Sequence, residues 1–289
     1  MTSTARSWLL ASLIASGAAC SGGGAAAPSY TLIDDMEGDV NRLAWPPPAG
    51  TMPGRWVGLI DCTQAERIAP PPFYVDPGVL PYETLPASQE TLPGVTSGRA
   101  LRLRTTTPIA GVYGASTDAF LATTTDGPLD AGTPPADAPC RRGTPEDFPA
   151  PTIDLTAYTG ITFWARGESS VANRMRVLLA DQNTDPRGGV CNPAHSVQED
   201  GCYNSFGTTI VLTDTFTRYT VDFSTLAQDP TWGYQVRPAV PDVAHAYGLT
   251  FLFEVAHCAL DGDSPNCAGG DMPLSFDLWL DDLYFVNRP

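Results

Sequence analysis

Three aromatic side chains in turn-rich segments are the residues of this chain best suited to bind a ligand. Trp232 and Tyr234 flank Gly233, and Tyr203 follows Cys202 in a segment bounded by two cysteines. A sugar ring presents an apolar face and a rim of hydroxyl groups, so a site for it pairs a stacking ring with polar groups. The pattern therefore predicts a saccharide-binding surface on these loops. A purely structural role for the same rings is the alternative.

Trp164 is another aromatic candidate, because apolar and polar residues alternate around it. Ile161, Phe163 and Ala165 lie on one side of the segment 161–166. Trp164 and Arg166 lie on the other side, and this period of two predicts a strand with one buried face. Further arginines alternate in the same way and are expected to share the face of Trp164: Arg102, Arg104 and Arg176. Ligand binding by Trp164 and Arg176 is one interpretation, and packing of arginine stems around a covering Trp164 is the other.

Sequence motifs for catalysis are absent. The chain contains no nucleophile elbow, HExxH, P-loop or dinucleotide fingerprint. Its acidic residues number 32, so a pair of Asp or Glu residues for glycoside hydrolysis stays open as an alternative. The net charge of −16 argues against nucleic acid as a partner, because phosphates require a basic face.

Cysteine usage indicates disulfides in an exported protein. Without Cys20, six of the seven cysteines remain, and an even number in an exported chain is typical of disulfide pairing. Two pairs close short loops rich in turn residues, and the third follows by elimination: Cys191–Cys202, Cys258–Cys267 and Cys62–Cys140. Zinc is the alternative interpretation, although no pair has C-x-x-C spacing.

The first 27 residues are typical of an export signal. Arg6 precedes an apolar run at 8–15, which is far shorter than the roughly 20 residues of a membrane span. Cys20 follows small residues and resembles the lipidated cysteine of a bacterial lipoprotein. We therefore expect a signal peptide at 1–20, a flexible tether at 21–29 and one domain at 30–289, held at the outer membrane or cell surface by lipid. Secretion after cleavage near Ala19 or Ala27 is the alternative.

The elements that must position these residues are strands. The 28 prolines and 27 glycines interrupt the chain too often for long helices. Short segments of period-two alternation recur instead and predict an antiparallel sandwich or barrel: 100–104, 161–166, 174–179, 218–223, 249–255 and 276–280. Two stretches rich in proline, 45–97 and 118–151, are expected to be long surface loops.

Several segments resemble the galactose-binding-like carbohydrate-binding modules. TLIDDMEGD (31–39) and FDLWLDDLYF (276–285) resemble the first and last strands of that family. Segments 153–167 and 212–233 resemble internal strands of the family. Segment 188–213 resembles the cysteine-bounded loop and the following strand of its proteobacterial members. Members often carry Asp-His before Phe-Gly, where this chain has Asn204 and Ser205.

The resemblance implies an all-β jelly-roll sandwich that binds polysaccharide without catalysis, and the lipoprotein-type signal adds the expectation of a cell-surface location. It also implies a structural Ca²⁺ held by acids of the terminal strands: Glu37, Asp39 and Asp282, with Asp35 and Asp281 in reserve. Hydrogen bonding of turns by these acids is the alternative. A glycoside-active enzyme and an envelope structural or protein-docking module remain alternative functions, because fold alone does not fix function.

Overall fold

The protein is an all-β sandwich of two antiparallel sheets. The structure is a computed structural model that describes residues 28–39, 41–60, 68–69, 82–85, 98–109, 115–123, 151–170, 172–192, 194–195, 201–231, 233–253 and 274–289. Sheet A contains β1 (Tyr30–Asp34), β3 (Ile68–Ala69), β4 (Tyr82–Thr84), β5 (Arg99–Thr105), β7 (Tyr158–Ser169), β10 (Thr217–Asp222) and β12 (Phe276–Asn287). Sheet B contains β2 (Met52–Ile60), β6 (Ala115–Thr123), β8 (Arg174–Asp181), β9 (Phe206–Val211) and β11 (Ala246–Phe253). None of the helices in this described part is long and apolar enough to cross a membrane.

The order of the strands is that of a jelly roll. Sheet A has the order β10-β7-β12-β5-β3, with β1 on β12 and β4 on β5, and sheet B has the order β2-β6-β11-β8-β9. From β5 onward, consecutive strands lie in opposite sheets except for the β8–β9 pair. The predicted jelly-roll sandwich is therefore confirmed.

The core lies between the sheets and is formed by the apolar half of each alternating segment. Phe163 of sheet A is 1% exposed and meets the ring of Phe251 in sheet B edge to face at 5.2 Å. Full burial of each such side chain stabilises the fold by about 1.5–3 kcal/mol. The alternation confirms the predicted inward-facing residues of β5, β7, β8, β11 and β12.

The last strand, β12, pairs with the first strand, β1. One edge of β12 pairs with β7 along its length, and the other edge pairs first with β5 and then with β1. The change of partner occurs at an irregularity beside Asp281 and Asp282, where Asp282 has a φ of 50°. The first and last segments are therefore neighbours, as expected.

The expected surface loops at 45–97 and 118–151 are wrong in part, because strands β2, β3 and β4 lie in the first and most of β6 lies in the second. Pro53 is compatible with β2, which is an edge strand. Both faces of β6 are buried along Ala115–Thr123. A strand that is buried on both sides shows no alternation, so the sequence of β6 does not distinguish it from a loop.

Candidate functional site

Two loops at one end of the sandwich are locked together by a buried asparagine. The Nδ2 group of Asn204 donates to the carbonyl of Asp229 at 2.9 Å, and its Oδ1 accepts from the N–H of Asp229 at 3.1 Å. Asn204 is only 1% exposed. Gln228 Nε2 donates to the carbonyls of Asn204 and Tyr234 at 2.7 and 2.8 Å, and the Tyr234 N–H donates to the carbonyl of Gly201 at 3.0 Å. We call residues 201–205 and 228–236 with these bonds the loop clamp.

Gly233 permits the close approach inside the loop clamp. Its φ is +67°, and a Cβ atom there would lie 2.6 Å from the Cβ of Asn204. Only glycine avoids both the left-handed strain and this contact. The predicted ligand residue Trp232 is adjacent in sequence but lies outside the described residues.

The disulfide Cys191–Cys202 leads into the loop clamp. Its Cα atoms are 5.1 Å apart and both cysteines are buried. This confirms the predicted pair. The predicted lipidation site Cys20 lies outside the described residues, and so do the cysteines of the other two predicted disulfides: Cys62, Cys140, Cys258 and Cys267.

The two tyrosines of the loop clamp have different environments. Tyr203 is 40% exposed and has a φ of +77°, and its N–H donates to the carbonyl of Thr184 at 2.8 Å. Positive φ in a bulky residue is rare and is maintained only where the surroundings impose it. Tyr234 is half-buried against the core. The clamp therefore presents the ring of Tyr203 to solvent and uses the ring of Tyr234 mainly for packing.

Polar residues line the outer face of sheet B beside this end. On β6, Asp118 lies opposite Thr250 of β11, and Ser116 lies opposite Leu252. Arg176 of β8 is in register with Leu252 on the same face. The expectation that Arg176 shares a face with Trp164 is therefore wrong, because β7 and β8 belong to opposite sheets and each points its polar half away from the common core.

An ion pair is packed on this face of sheet B. The carboxylate of Asp185 accepts from Arg187 Nε at 2.7 Å and from Nη2 at 2.6 Å. The guanidinium lies 5.1 Å from the ring centre of Phe120 and 4.3 Å from that of Tyr247. Both side chains of the pair are almost fully buried. Two-point bonding and stacking fix the position of this cation.

Asp118 is a buried acid near this ion pair. It is 7% exposed, and its Oδ1 has no hydrogen-bond partner in the described structure. Burial raises the pKa of Asp118 to about 7, although bonds from Thr250 and Ser116 and the charge of Arg187 oppose the shift. Asp118 and Arg187 are not predictable as site residues from the sequence, because neither occurs in a recognisable motif.

Trp164 lies on the outer face of sheet A, away from the loop clamp. It is half-buried and lies opposite Asp281 of β12 and Arg218 of β10. Arg102, Arg104 and Arg166 share this outer face, as predicted. The structure therefore separates Trp164 from Arg176 on the other sheet.

The acids predicted for calcium bond mainly to other groups. Glu37 Oε1 accepts from the N–H groups of Gly98 and Arg99, both at 2.8 Å, and Asp39 pairs with the Arg99 guanidinium at 3.2 Å. Asp282 is 8% exposed, and burial raises its pKa. Within the described ranges, no three His, Cys, Asp or Glu residues are grouped to hold a metal ion. Calcium binding stays a prediction from the resemblance.

Comparison with known proteins finds likeness only among solved structures, since no family model and no curated protein matches the chain. A family 11 carbohydrate-binding module of a Clostridium thermocellum cellulosomal cellulase is similar over 91% of this chain and 96% of its own, with a TM-score of 0.42 and 12% identity. A family 30 module from the same organism covers 73% and 88%, with a TM-score of 0.36 and 14% identity. An exo-beta-agarase covers 90% of this chain and 25% of its own, with a TM-score of 0.38 and 11% identity. The architecture and the site described above therefore rest on this chain's own strands and contacts.

Proposed function

We propose that this protein binds a polysaccharide at the loop clamp, with the exposed ring of Tyr203 as a stacking surface and Trp232 as a second one. The observation that carries the proposal is the clamp itself, in which Asn204 and Gln228 lock two loops while the ring of Tyr203 stays exposed. A preorganised aromatic ring loses little entropy on binding. Neighbouring amides and carbonyls can satisfy the hydroxyl groups of a sugar.

The expected affinity is modest. Stacking a sugar on one ring buries apolar surface worth about 25 cal/mol per Å², so each ring contributes roughly 1–2 kcal/mol. With a few hydrogen bonds, this corresponds to a dissociation constant between roughly millimolar and micromolar. Such binding involves no chemical change of the ligand.

Native affinity electrophoresis on a panel of neutral polysaccharides tests the proposal. Tyr203→Ala is expected to abolish most of the retardation shown by the wild type. Tyr30→Ala is the matched control, because Tyr30 is 42% exposed but lies on β1, outside the loop clamp. Equal retardation of wild type and Tyr203→Ala, or no retardation by any glycan, would show that the clamp is not the site and would favour protein docking in the envelope.

We also propose that lipid on Cys20 holds the module at the outer membrane. The basic Arg6, the apolar run and the small residues before Cys20 support this placement. Labelled fatty acid should be incorporated in cells, and Cys20→Ser should abolish the label. Recovery of a lipid-free mature protein that begins after Cys20 would contradict lipidation and support secretion.

Glycoside hydrolysis is a second candidate function, and one observation favours it. Asp118 has a raised pKa, as a general acid requires, and the carboxylate of Asp185 lies in its electrostatic environment. The burial of both residues opposes this function, because a substrate needs access to the acid. Release of reducing sugar by the wild type, and its loss in Asp118→Asn, would support hydrolysis. Polysaccharide retardation without any release supports binding alone.

A further inference from the structure

An arginine on the outer face of sheet A forms no ion pair within the described part of the chain. Arg166 of β7 lies opposite Trp279 of β12, and Arg102 of β5 lies on the other side of the same tryptophan. Both guanidinium groups lie over the Trp279 ring, at 4.5 Å for Arg102 and 4.8 Å for Arg166. A row of two cations and one ring therefore crosses this face.

The two cations differ in their partners. Arg102 donates to both carboxylate oxygens of Asp277, at 2.9 and 2.6 Å, and to Glu83 at 2.9 Å. Arg166 forms no hydrogen bond or ion pair among the described residues, and its Nε is buried without a partner. Burial lowers the pKa of Arg166 and the charge of Asp277 opposes the shift, although a guanidinium stays charged at neutral pH. Both carboxylate oxygens of Asp277 are bonded to Arg102 and not to Arg166. A partly desolvated cation without a bonded acid is unfavourable, and an anionic ligand would offset that cost.

Aromatic rings hold the guanidinium of Arg166 in place. Besides Trp279, the ring of Phe216 lies 5.4 Å from it. Stacking of this kind occupies the faces of the planar group and leaves the N–H groups at its edge available. The donors of Arg166 are therefore positioned before any ligand arrives.

Trp164 supplies a ring beside these donors. It precedes Arg166 by two residues on β7 and points to the same outer face, so the two side chains start about 7 Å apart. Trp164 is half-buried, and its indole has no ring contact or hydrogen bond with the described residues. One monosaccharide can reach both groups across this distance.

We propose that Trp164 and Arg166 form a second binding site, for an anionic saccharide unit. The indole stacks on the sugar ring, and the guanidinium donates two hydrogen bonds to a carboxylate or sulfate group of that sugar. The net charge of −16 repels long polyanions, so the ligand is a single acidic unit in an otherwise neutral glycan. The site shares no residue with the loop clamp and goes beyond the proposed function.

Titration calorimetry with matched oligosaccharides tests the second site. The probes are a xylo-oligosaccharide with one glucuronate, the same compound with its carboxyl group reduced to an alcohol, and the same backbone with one sulfate ester. The wild type is expected to bind the glucuronate form at least tenfold more tightly than the reduced form. Tight binding of the sulfated probe alone would assign the site to sulfate.

Variants show which residues cause the preference for the glucuronate probe over the reduced probe. Arg166→Gln should remove the tenfold preference, and Trp164→Ala should weaken binding of the acidic probe. Arg174→Gln is the matched control, since Arg174 is an exposed arginine on β8 of the other sheet. Tyr203→Ala should lose binding of neutral polysaccharide and keep the acidic preference, which distinguishes this site from the loop clamp.

The comparison of probes on the wild type decides the proposal even if a variant fails to fold. Equal affinity for all three probes, or no binding of either charged probe, would overturn it. A shift of the Arg166 Nε–H resonance on addition of the charged probe, without a shift for the reduced probe, would support it independently.

Discussion

Asp118→Asn is expected to gain stability relative to the wild type as the pH rises from 5 to 8. Asp118 is buried on the outer face of sheet B, and its pKa is raised from 3.8 to about 7. Between these two values the native protein binds a proton that the unfolded chain does not. The free energy of unfolding therefore falls as pH rises through this window, and the loss is complete above pH 7.

The size of the effect follows from the two pKa values. The rise from 3.8 to about 7 corresponds to a penalty of roughly 4 kcal/mol on the ionised form. At pH 5 the wild type has lost only the stability that corresponds to the rise from pH 3.8 to pH 5, which is roughly 1.6 kcal/mol. Asparagine removes the charge, and burial of its amide adds a free-energy cost that does not depend on pH. This cost therefore cancels when the stability difference at pH 5 is compared with that at pH 8. The stability difference between variant and wild type should therefore grow by roughly 2–3 kcal/mol from pH 5 to pH 8.

Urea unfolding at pH 5, 6, 7 and 8, followed by tryptophan fluorescence, measures this difference. The slope against urea should match in both proteins, so that the midpoint reports stability. Asp34 also has a pKa raised to about 6 by burial, and it contributes equally to both curves. Asp214→Asn is the control, because Asp214 is exposed. Stability curves of Asp118→Asn and wild type that run parallel with pH would refute the assignment of a buried, ionisable Asp118.

Three further predictions concern the loop clamp and its disulfide. Replacing Cys191 and Cys202 by Ala should lower the free energy of unfolding by about 3 kcal/mol, because the disulfide closes a loop of sequence separation 11. Peptide mapping of the unreduced wild type should recover Cys191 and Cys202 in one disulfide-linked fragment. Asn204→Ala should cost about 1–3 kcal/mol in urea unfolding, because it removes two side-chain hydrogen bonds to the partly buried backbone of Asp229. Gly233→Ala should destabilise more than Gly50→Ala in thermal melts, since both have positive φ but only Gly233 has a neighbouring atom within 4 Å, and a smaller loss for Gly233→Ala would contradict the close approach.

Local pattern predicts much of this fold. Alternation of apolar residues is a property of each strand, so the inward faces of β7 and β11 follow from the sequence alone. The pair Cys191–Cys202 is also local, and it was predicted correctly. Strand β6 was missed, because Ser116 and Asp118 lie on a strand whose two faces are both buried.

Contacts between residues that are far apart in the chain could not be predicted from the sequence. Nothing near Asn204 indicates that its amide bonds to Asp229 across 25 positions. The placement of Arg176 on the other sheet from Trp164 depends on which strands pair, and alternation carries no information on pairing. That Arg166 forms no ion pair with the described residues depends equally on where carboxylates of other strands lie.

Polysaccharide binding at the loop clamp is tested most directly by nuclear magnetic resonance titration of the wild type with a glycan selected from the native gels. The ring resonances of Tyr203 are expected to shift with saturation between roughly millimolar and micromolar ligand, while the control ring of Tyr30 stays unchanged. Shifts confined to residues outside 201–205 and 228–236, with Tyr203 unmoved at saturation, would contradict the account.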